Sequence, residues 1–180
     1  MIRRISLLSG PCSGKSTVAA DMYSRLKRQG YNIELVTEYA KDWAYEGRTI
    51  NEYDQLELYS TQLAREYRVL KSNENVVIIT DSPTLLAIPY AIRYNFPCIE
   101  SLEIIEDQFE KEFPSINIFL ERGNCPYTQA GRYEDHKRAK QMDNMIKNYL
   151  EVNLRSFIEL PYDNYDEIYN IILDFLGGRK

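Results

Sequence analysis

The chain has 180 residues, 44% of them hydrophobic and 27% charged, with a formal net charge of −5. That length suits one domain spanning residues 1–180 with a core of its own, and the negative balance disfavours broad adhesion to nucleic acid or an anionic membrane. One histidine, His136, and three scattered cysteines, Cys12, Cys98 and Cys125, exclude a histidine-rich site, a Cys-x-x-Cys metal site and a disulfide framework.

Met1 leads directly into an apolar strand expected near residues 2–8, leaving no room for a signal peptide, and no apolar run is long enough to span a membrane. A cytoplasmic protein with no membrane partner is expected. The strand runs into Ser9-Gly10-Pro11-Cys12-Ser13-Gly14-Lys15-Ser16-Thr17, which precedes a helical run from Ser16 to Gln29. This is the pattern of a phosphate-gripping loop that binds a nucleoside triphosphate. Glycine lets the backbone bend and present bare N–H groups, lysine reaches the β- and γ-phosphates, and a hydroxyl ligates Mg²⁺. Gly10, Gly14, Lys15 and Ser16 supply these parts, and the helix N-terminus adds a positive partial charge. Ser9 stands where the strict pattern has its first glycine.

A second strand is expected over 31–37, ending at Glu38, followed by a helix from Tyr39 to Tyr45. Glu38 would face the triphosphate across the cleft as general base, or stand as a solvated residue in the first helical turn. Asn51 resembles an N-cap, and Leu56, Tyr59, Leu63, Tyr67 and Leu70 recur at helical spacing, giving one long amphipathic helix. On that helix Gln55, Tyr59, Gln62 and Glu66 form a polar stripe. A planar heterocycle would stack on Tyr59 or Trp43 and bond Gln62, although a chain with 15 tyrosines also places several at this spacing as packing. The unalternating run Val76-Val77-Ile78-Ile79 belongs to a central strand over 75–80. Asp81 ends it, either as a Mg²⁺-binding carboxylate or as a helix N-cap. Tyr90, after the Leu85–Ile88 helix, would close the acceptor pocket or pack beneath it.

After a strand over 115–120, residues 122–138 read as a lid in which turn-formers alternate with Arg122, Arg132 and Arg138. Guanidinium groups closing on a water-poor cleft would stabilise the transferring phosphoryl group, whereas a solvated charged face is the plainer alternative. A fifth strand is expected over 155–160, then a helix through Ile168, Ile171, Ile172, Phe175 and Leu176 that stops at Gly177-Gly178. Short apolar runs alternating with helical patterns imply a five-stranded parallel sheet covered by helices on both faces.

The set Gly10 to Thr17, Glu38-Tyr39-Ala40-Lys41, Gln62, Thr80-Asp81-Ser82-Pro83 and Leu120-Glu121-Arg122 to Gly131-Arg132 resembles the small P-loop kinases. It is similar in particular to the nicotinamide riboside kinase domain of the bacterial NAD-biosynthesis regulator and to phage-encoded AAA-type ATP-binding relatives. The resemblance implies a single-domain P-loop α/β fold with a lid and ATP held by Gly10 through Thr17 with Arg132. It also implies Mg²⁺ on Ser16 and Asp81, and catalysis by Glu38, Lys15, Asp81, Arg122 and Arg132. Glu38, Trp43 and Gln62 look like the base, aromatic and base-reading residues of deoxynucleoside kinases, with Tyr59 and Tyr90 completing the acceptor pocket. The loop Pro161-Tyr162-Asp163-Asn164 would lie near adenine. Where those kinases carry Asp-Arg-Ser, this chain has Asp81-Ser82-Pro83, so an arginine beside the acceptor hydroxyl is missing.

The leading reading is therefore transfer of the ATP γ-phosphate to a hydroxyl or phosphate of a nucleoside- or nucleotide-like small molecule. One alternative is a kinase of hydroxymethylated pyrimidine in phage DNA, with nucleic acid as partner and a basic track at Arg3, Arg4, Arg25, Lys27 and Arg28 or at Lys137, Arg138 and Lys140. Another is an NTPase switch, although the Asn-Lys-x-Asp guanine reader is absent. The oligomeric state stays open, with a homodimer among the options.

Overall fold

The structure is a computed structural model that describes residues 3–97, 99–128 and 133–177. Five parallel strands form one sheet in the order β2-β3-β1-β4-β5: β1 is Arg4–Leu8, β2 Ile33–Val36, β3 Val77–Thr80, β4 Ser115–Glu121 and β5 Ile158–Pro161. The central strand β1 is buried along its length, as a run covered on both faces must be. The helices are α1 (Lys15–Arg28), α2 (Ala40–Tyr45), α3 (Asp54–Ser72), α4 (Ala87–Arg93), α5 (Ile99–Glu112), α6 (His136–Val152) and α7 (Tyr165–Leu176), with a 3₁₀ turn over Thr84–Leu86. On one face Val18, Met22 and Leu26 of α1 and Ile168, Ile172 and Leu176 of α7 pack on Ile5, Leu7 and Ile118. On the other, α3 to α6 cover Leu8, Ile78 and Phe119. No helix among the described residues is long and apolar enough to cross a membrane.

The chain crosses leftward from β1 to β2 and rightward from β3 to β4, so a crevice opens between the C-terminal ends of β1 and β3. The phosphate loop and Asp81 both lie there. The β5 strand starts later than its apolar run, because α6 continues to Val152 and turns back through Leu154 at φ 52°, with the Arg155 N–H donating to the Leu150 carbonyl. The last helix ends at Gly177 with φ 62°, a left-handed cap that glycine adopts without strain.

The long helix α3 departs from its expected register. Asn51 is not its cap: Tyr53 occupies that position, and the N–H and Nδ2 of Asn51 donate instead to Asp54 Oδ2 inside the helix at 2.7 and 3.0 Å. Leu56 is 49% exposed and Tyr67 38% exposed, while Gln55, Tyr59, Gln62 and Glu66 are buried. The polar stripe faces inward because the interior it meets is itself charged. Arg4 of β1, 1% exposed, sits among three carboxylates: Glu66 at 3.4 Å, Glu106 at 3.6 Å and Glu110 at 2.5 Å. Its Nε also donates to the Phe113 carbonyl at 2.8 Å, and its guanidinium lies over the Phe109 ring. Arg4 is therefore bound within the core and belongs to no surface basic track.

One guanidinium among three carboxylates leaves an excess of buried negative charge. Burial, ahead of the attraction of Arg4, pushes Glu66 up to about 7 from 4.5. Between those values the folded chain keeps a proton that the unfolded chain has released, so stability falls as pH rises through that window and then levels. Burial raises Glu106 of the same cluster too, so Glu66→Gln is expected to reduce that slope. Urea midpoints at pH 5 and pH 7.5 should show wild type losing about 1–3 kcal/mol relative to the variant. Parallel profiles would contradict the assignment.

Candidate active site

The turn from β1 into α1 depends on two close approaches. A Cβ at Gly10 would lie 2.7 Å from both the Ala139 carbonyl and Asp143 Oδ1 of α6, and one at Gly14 would lie 2.7 Å from the Tyr162 ring. Gly14 also takes φ +85°, which L side chains rarely adopt. It is the N-cap of α1 and supplies no side-chain cap, so the first-turn N–H groups of this helix are left for a ligand. Pro11 through Thr17 line a cavity together with Tyr162, Tyr165, Cys125 and Pro126. The expected adenine loop thus contributes Tyr162 to this lining.

Within the cavity Lys15 Nζ donates to the carbonyls of Ser9 at 2.9 Å and Gly10 at 2.7 Å. Burial lowers its pKa, opposed by the charges of Glu38, Asp81 and Asp143. Ser16 Oγ donates to Asp81 Oδ2 at 2.5 Å, and Asp81 Oδ1 accepts from the Glu38 N–H at 3.1 Å. One carboxylate therefore joins the first turn of α1 to the chain just beyond β2 and β3. A hydroxyl and a carboxylate oxygen so close together beside a phosphate-sized space are the hard donors that Mg²⁺ takes, its remaining positions going to phosphate and water, so the residues fit that ion.

Arg122 is not carried by a detached lid. It stands one residue beyond β4, 6% exposed, with Nε and Nη2 on Asp143 at 2.7 and 3.1 Å and Nη1 on the Cys12 carbonyl at 2.8 Å. It lines neither this cavity nor the cleft beside it. Arg132 lies outside the described residues, as do its neighbours 129–131. Arg138 is on the exposed first turn of α6 beside Asp135. Within residues 122–138, expected as a lid, Glu134 Oε1 accepts from the hydroxyl of Tyr94 at the end of α4, and its carbonyl accepts from the Tyr127 hydroxyl.

A second cleft adjoins the first and shares with it Pro11, Glu38, Ser82, Leu86 and Tyr90. Five tyrosines, Tyr39, Tyr59, Tyr90, Tyr94 and Tyr133, line it with Gln55 and Gln62. Gln62 is 6% exposed; its Oε1 accepts from the Tyr39 N–H at 3.0 Å, and its Nε2 has no partner among the described residues. Burial, then the charges of Glu38 and Glu134, pushes the Tyr90 phenol well above its ordinary value, so it stays a neutral donor. Trp43, expected on this wall, lies behind it. Its ring is 1% exposed, meets Tyr39 edge-on at 6.3 Å and is covered by the Arg48 guanidinium at 3.2 Å, which leaves no face for a ligand to stack on. Ile50 of the segment after α2 and Tyr133 also line the cleft, and the Tyr133 hydroxyl donates to the Arg48 carbonyl at 2.9 Å.

Sequence reasoning missed Asp143, Glu134 and the Arg4 cluster. All three are charged residues whose partners lie far away along the chain, so local spacing carries no sign of them.

A family model described as an AAA domain matches residues 4–167. The chain belongs to this AAA-domain family. No curated protein sequence matches it. Among solved structures, NadR in complex with NR superposes with a TM-score of 0.71 at 14% identity over 98% of this chain and 52% of that one. NadR in complex with NAD and AMP-PNP gives 0.69 at 15% identity over 99% and 51%. This AAA-domain chain therefore spans about half the length of the NadR chains it matches, and it shares their P-loop α/β fold.

The contact of Gly10 with α6 yields a direct expectation. Gly10→Ala should lower stability by about 1–3 kcal/mol, because a backbone carbonyl 2.7 Å away cannot swing aside as a side chain can. Chemical denaturation checks it, and an unchanged midpoint would mean that α6 yields freely.

Proposed function

We propose that the chain is an ATP-dependent kinase that moves the γ-phosphate to a hydroxyl of a nucleoside-like small molecule. The observation that carries this reading is the meeting of the two cavities at Glu38 and Tyr90. Phosphates lying along Gly10 to Thr17 would point their terminal group through that opening, and an acceptor in the second cleft would present its hydroxyl beside the Glu38 carboxylate. NadR, similar in fold, has been solved with NR and with NAD and AMP-PNP, which supports ligands of this size and chemistry.

In this reading Lys15 exchanges its two carbonyl contacts for β- and γ-phosphate oxygens, a partner that favours its charged form. Ser16 and Asp81 would hold Mg²⁺, which when bound neutralises charge on the phosphate oxygens. Glu38 accepts the proton as the acceptor oxygen bonds to the γ-phosphorus and the bond to the ADP oxygen breaks. Tyr90 offers a neutral hydroxyl at the junction. Gln62, its carbonyl oxygen already engaged by Tyr39, turns its amide donor to a ring acceptor atom or carbonyl of the substrate. A small acceptor is favoured over a base in DNA because the chain carries a net charge of −5.

Assayed with nicotinamide riboside and the common nucleosides, Glu38→Gln is expected to lower turnover by about 10²–10⁴-fold with ATP affinity retained. Gln62→Leu is expected to raise the acceptor KM by about tenfold with little change in kcat. Full turnover in Glu38→Gln would remove the base from the mechanism.

A further inference from the structure

Ser9 stands where the strict phosphate-loop pattern has glycine, and its side chain is fully buried. Its hydroxyl donates to Asp143 Oδ1 at 2.9 Å, the same oxygen that accepts from the Gly10 N–H at 2.7 Å. Asp143 lies on α6, and Arg122 pairs with both of its carboxylate oxygens, at 2.7 and 3.1 Å. The remaining arm of Arg122 reaches the Cys12 carbonyl at 2.8 Å, where the backbone is bent to φ 57°, a left-handed conformation in a residue that is not glycine. One ion pair, with side chains only 5% and 15% exposed, therefore grips the loop at Ser9–Gly10 and again at Cys12.

We propose that Asp143, fixed by Arg122, is the positioning residue of the phosphate loop, and that Ser9 is its ligand on the loop side. The proposal rests on reading this loop as the ATP site. Neither Asp143 nor Arg122 lines the phosphate cavity or the acceptor cleft, so both act through the backbone they hold. Phosphate binding needs several N–H groups already aimed at one place, and a loop bent before the ligand arrives loses less freedom on binding. The Ser9–Gly10 segment is also where Lys15 rests, through the carbonyls of both residues, so a shift there moves the loop's principal cation as well. The serine is thus a replacement with its own contact, and restoring glycine at position 9 weakens the site although it restores the motif.

The test is calorimetric titration of the full chain with AMP-PNP and Mg²⁺, using wild type, Ser9→Gly, Ser9→Ala, Asp143→Asn, Ser9→Gly with Asp143→Asn, and Lys15→Ala as the loop control. Both Ser9 variants are expected to bind about tenfold more weakly, the loss of one hydrogen bond to a charged group. Asp143→Asn should lose at least as much, and adding Ser9→Gly to it should cost less than about twofold more, since the two act as one unit. Urea melts in parallel report folding; if Asp143→Asn does not fold, the two Ser9 variants decide. Ser9 variants that bind as tightly as wild type, or that only lower the urea midpoint, overturn the proposal, as does a double variant whose losses multiply. A wild type that fails to bind AMP-PNP overturns the ATP reading and this proposal with it, whereas binding abolished by Lys15→Ala with neutral Ser9 variants overturns the proposal alone.

Discussion

Phosphate oxygens are gripped by backbone N–H groups only where the chain bends tightly and nothing else occupies the concave side. In this protein the bend between β1 and α1 meets that condition against two walls at once, α6 behind Gly10 and Tyr162 over Gly14. No side chain fits at either glycine. The central position of β1 follows from the same need, because a strand buried on both faces delivers the loop to the crevice where the sheet's connections diverge. There Ser16 from the first turn of α1, Asp81 after β3 and the backbone of Glu38 after β2 meet, held together by one carboxylate.

A second organising feature is ionic and lies beside the second cleft. Arg4 enters the core from the start of β1 and draws Glu66, Glu106 and Glu110 around it. Two walls of the cleft hang from that cluster: the Tyr59 hydroxyl donates to Glu106 at 3.4 Å, and the Thr84 N–H donates to Glu66 at 3.1 Å. Buried charge of this kind contributes little net stability but penalises any arrangement that leaves a member unpaired, so it fixes where α3 and the turn after β3 can sit. The polar inward face of α3 follows from it. Gln62, Tyr59 and Gln55 can face inward because a charged interior and an open cleft receive them, where an apolar core would have excluded them.

The sheet, its parallel sense and the position of the phosphate loop are legible in the sequence because each rests on local pattern: Val76 to Ile79 reads as a buried strand, and Gly10, Gly14 and Lys15 as a phosphate loop. The strand-end positions of Glu38 and Asp81 follow from the same alternation. Long-range pairing is not legible. Arg122 reads as a lid arginine for the phosphoryl group or as solvated charge, nothing in the sequence links it to Asp143, and their pairing exists only once β4 and α6 are packed. The register of α3 misleads for a related reason, since Leu56 and Tyr67 keep helical spacing with Tyr59 and Leu70 yet end up at the exposed edge of the helix. Trp43 shows the limit of analogy: an aromatic at the expected place in the chain lies behind the cleft, with Arg48 over its ring.

Transfer of label from γ-labelled ATP tests the central claim most directly: that the phosphate cavity opens at Glu38 onto a cleft for a hydroxyl acceptor. The protein would be incubated with Mg²⁺, labelled ATP and a panel of nucleosides, nucleotides, nicotinamide riboside and plain or hydroxymethylated DNA, with Lys15→Ala as control. The account predicts label on one small hydroxyl acceptor and none with Lys15→Ala. Label released only as inorganic phosphate, whatever acceptor is supplied, would contradict it and leave a nucleotide-hydrolysing switch in its place.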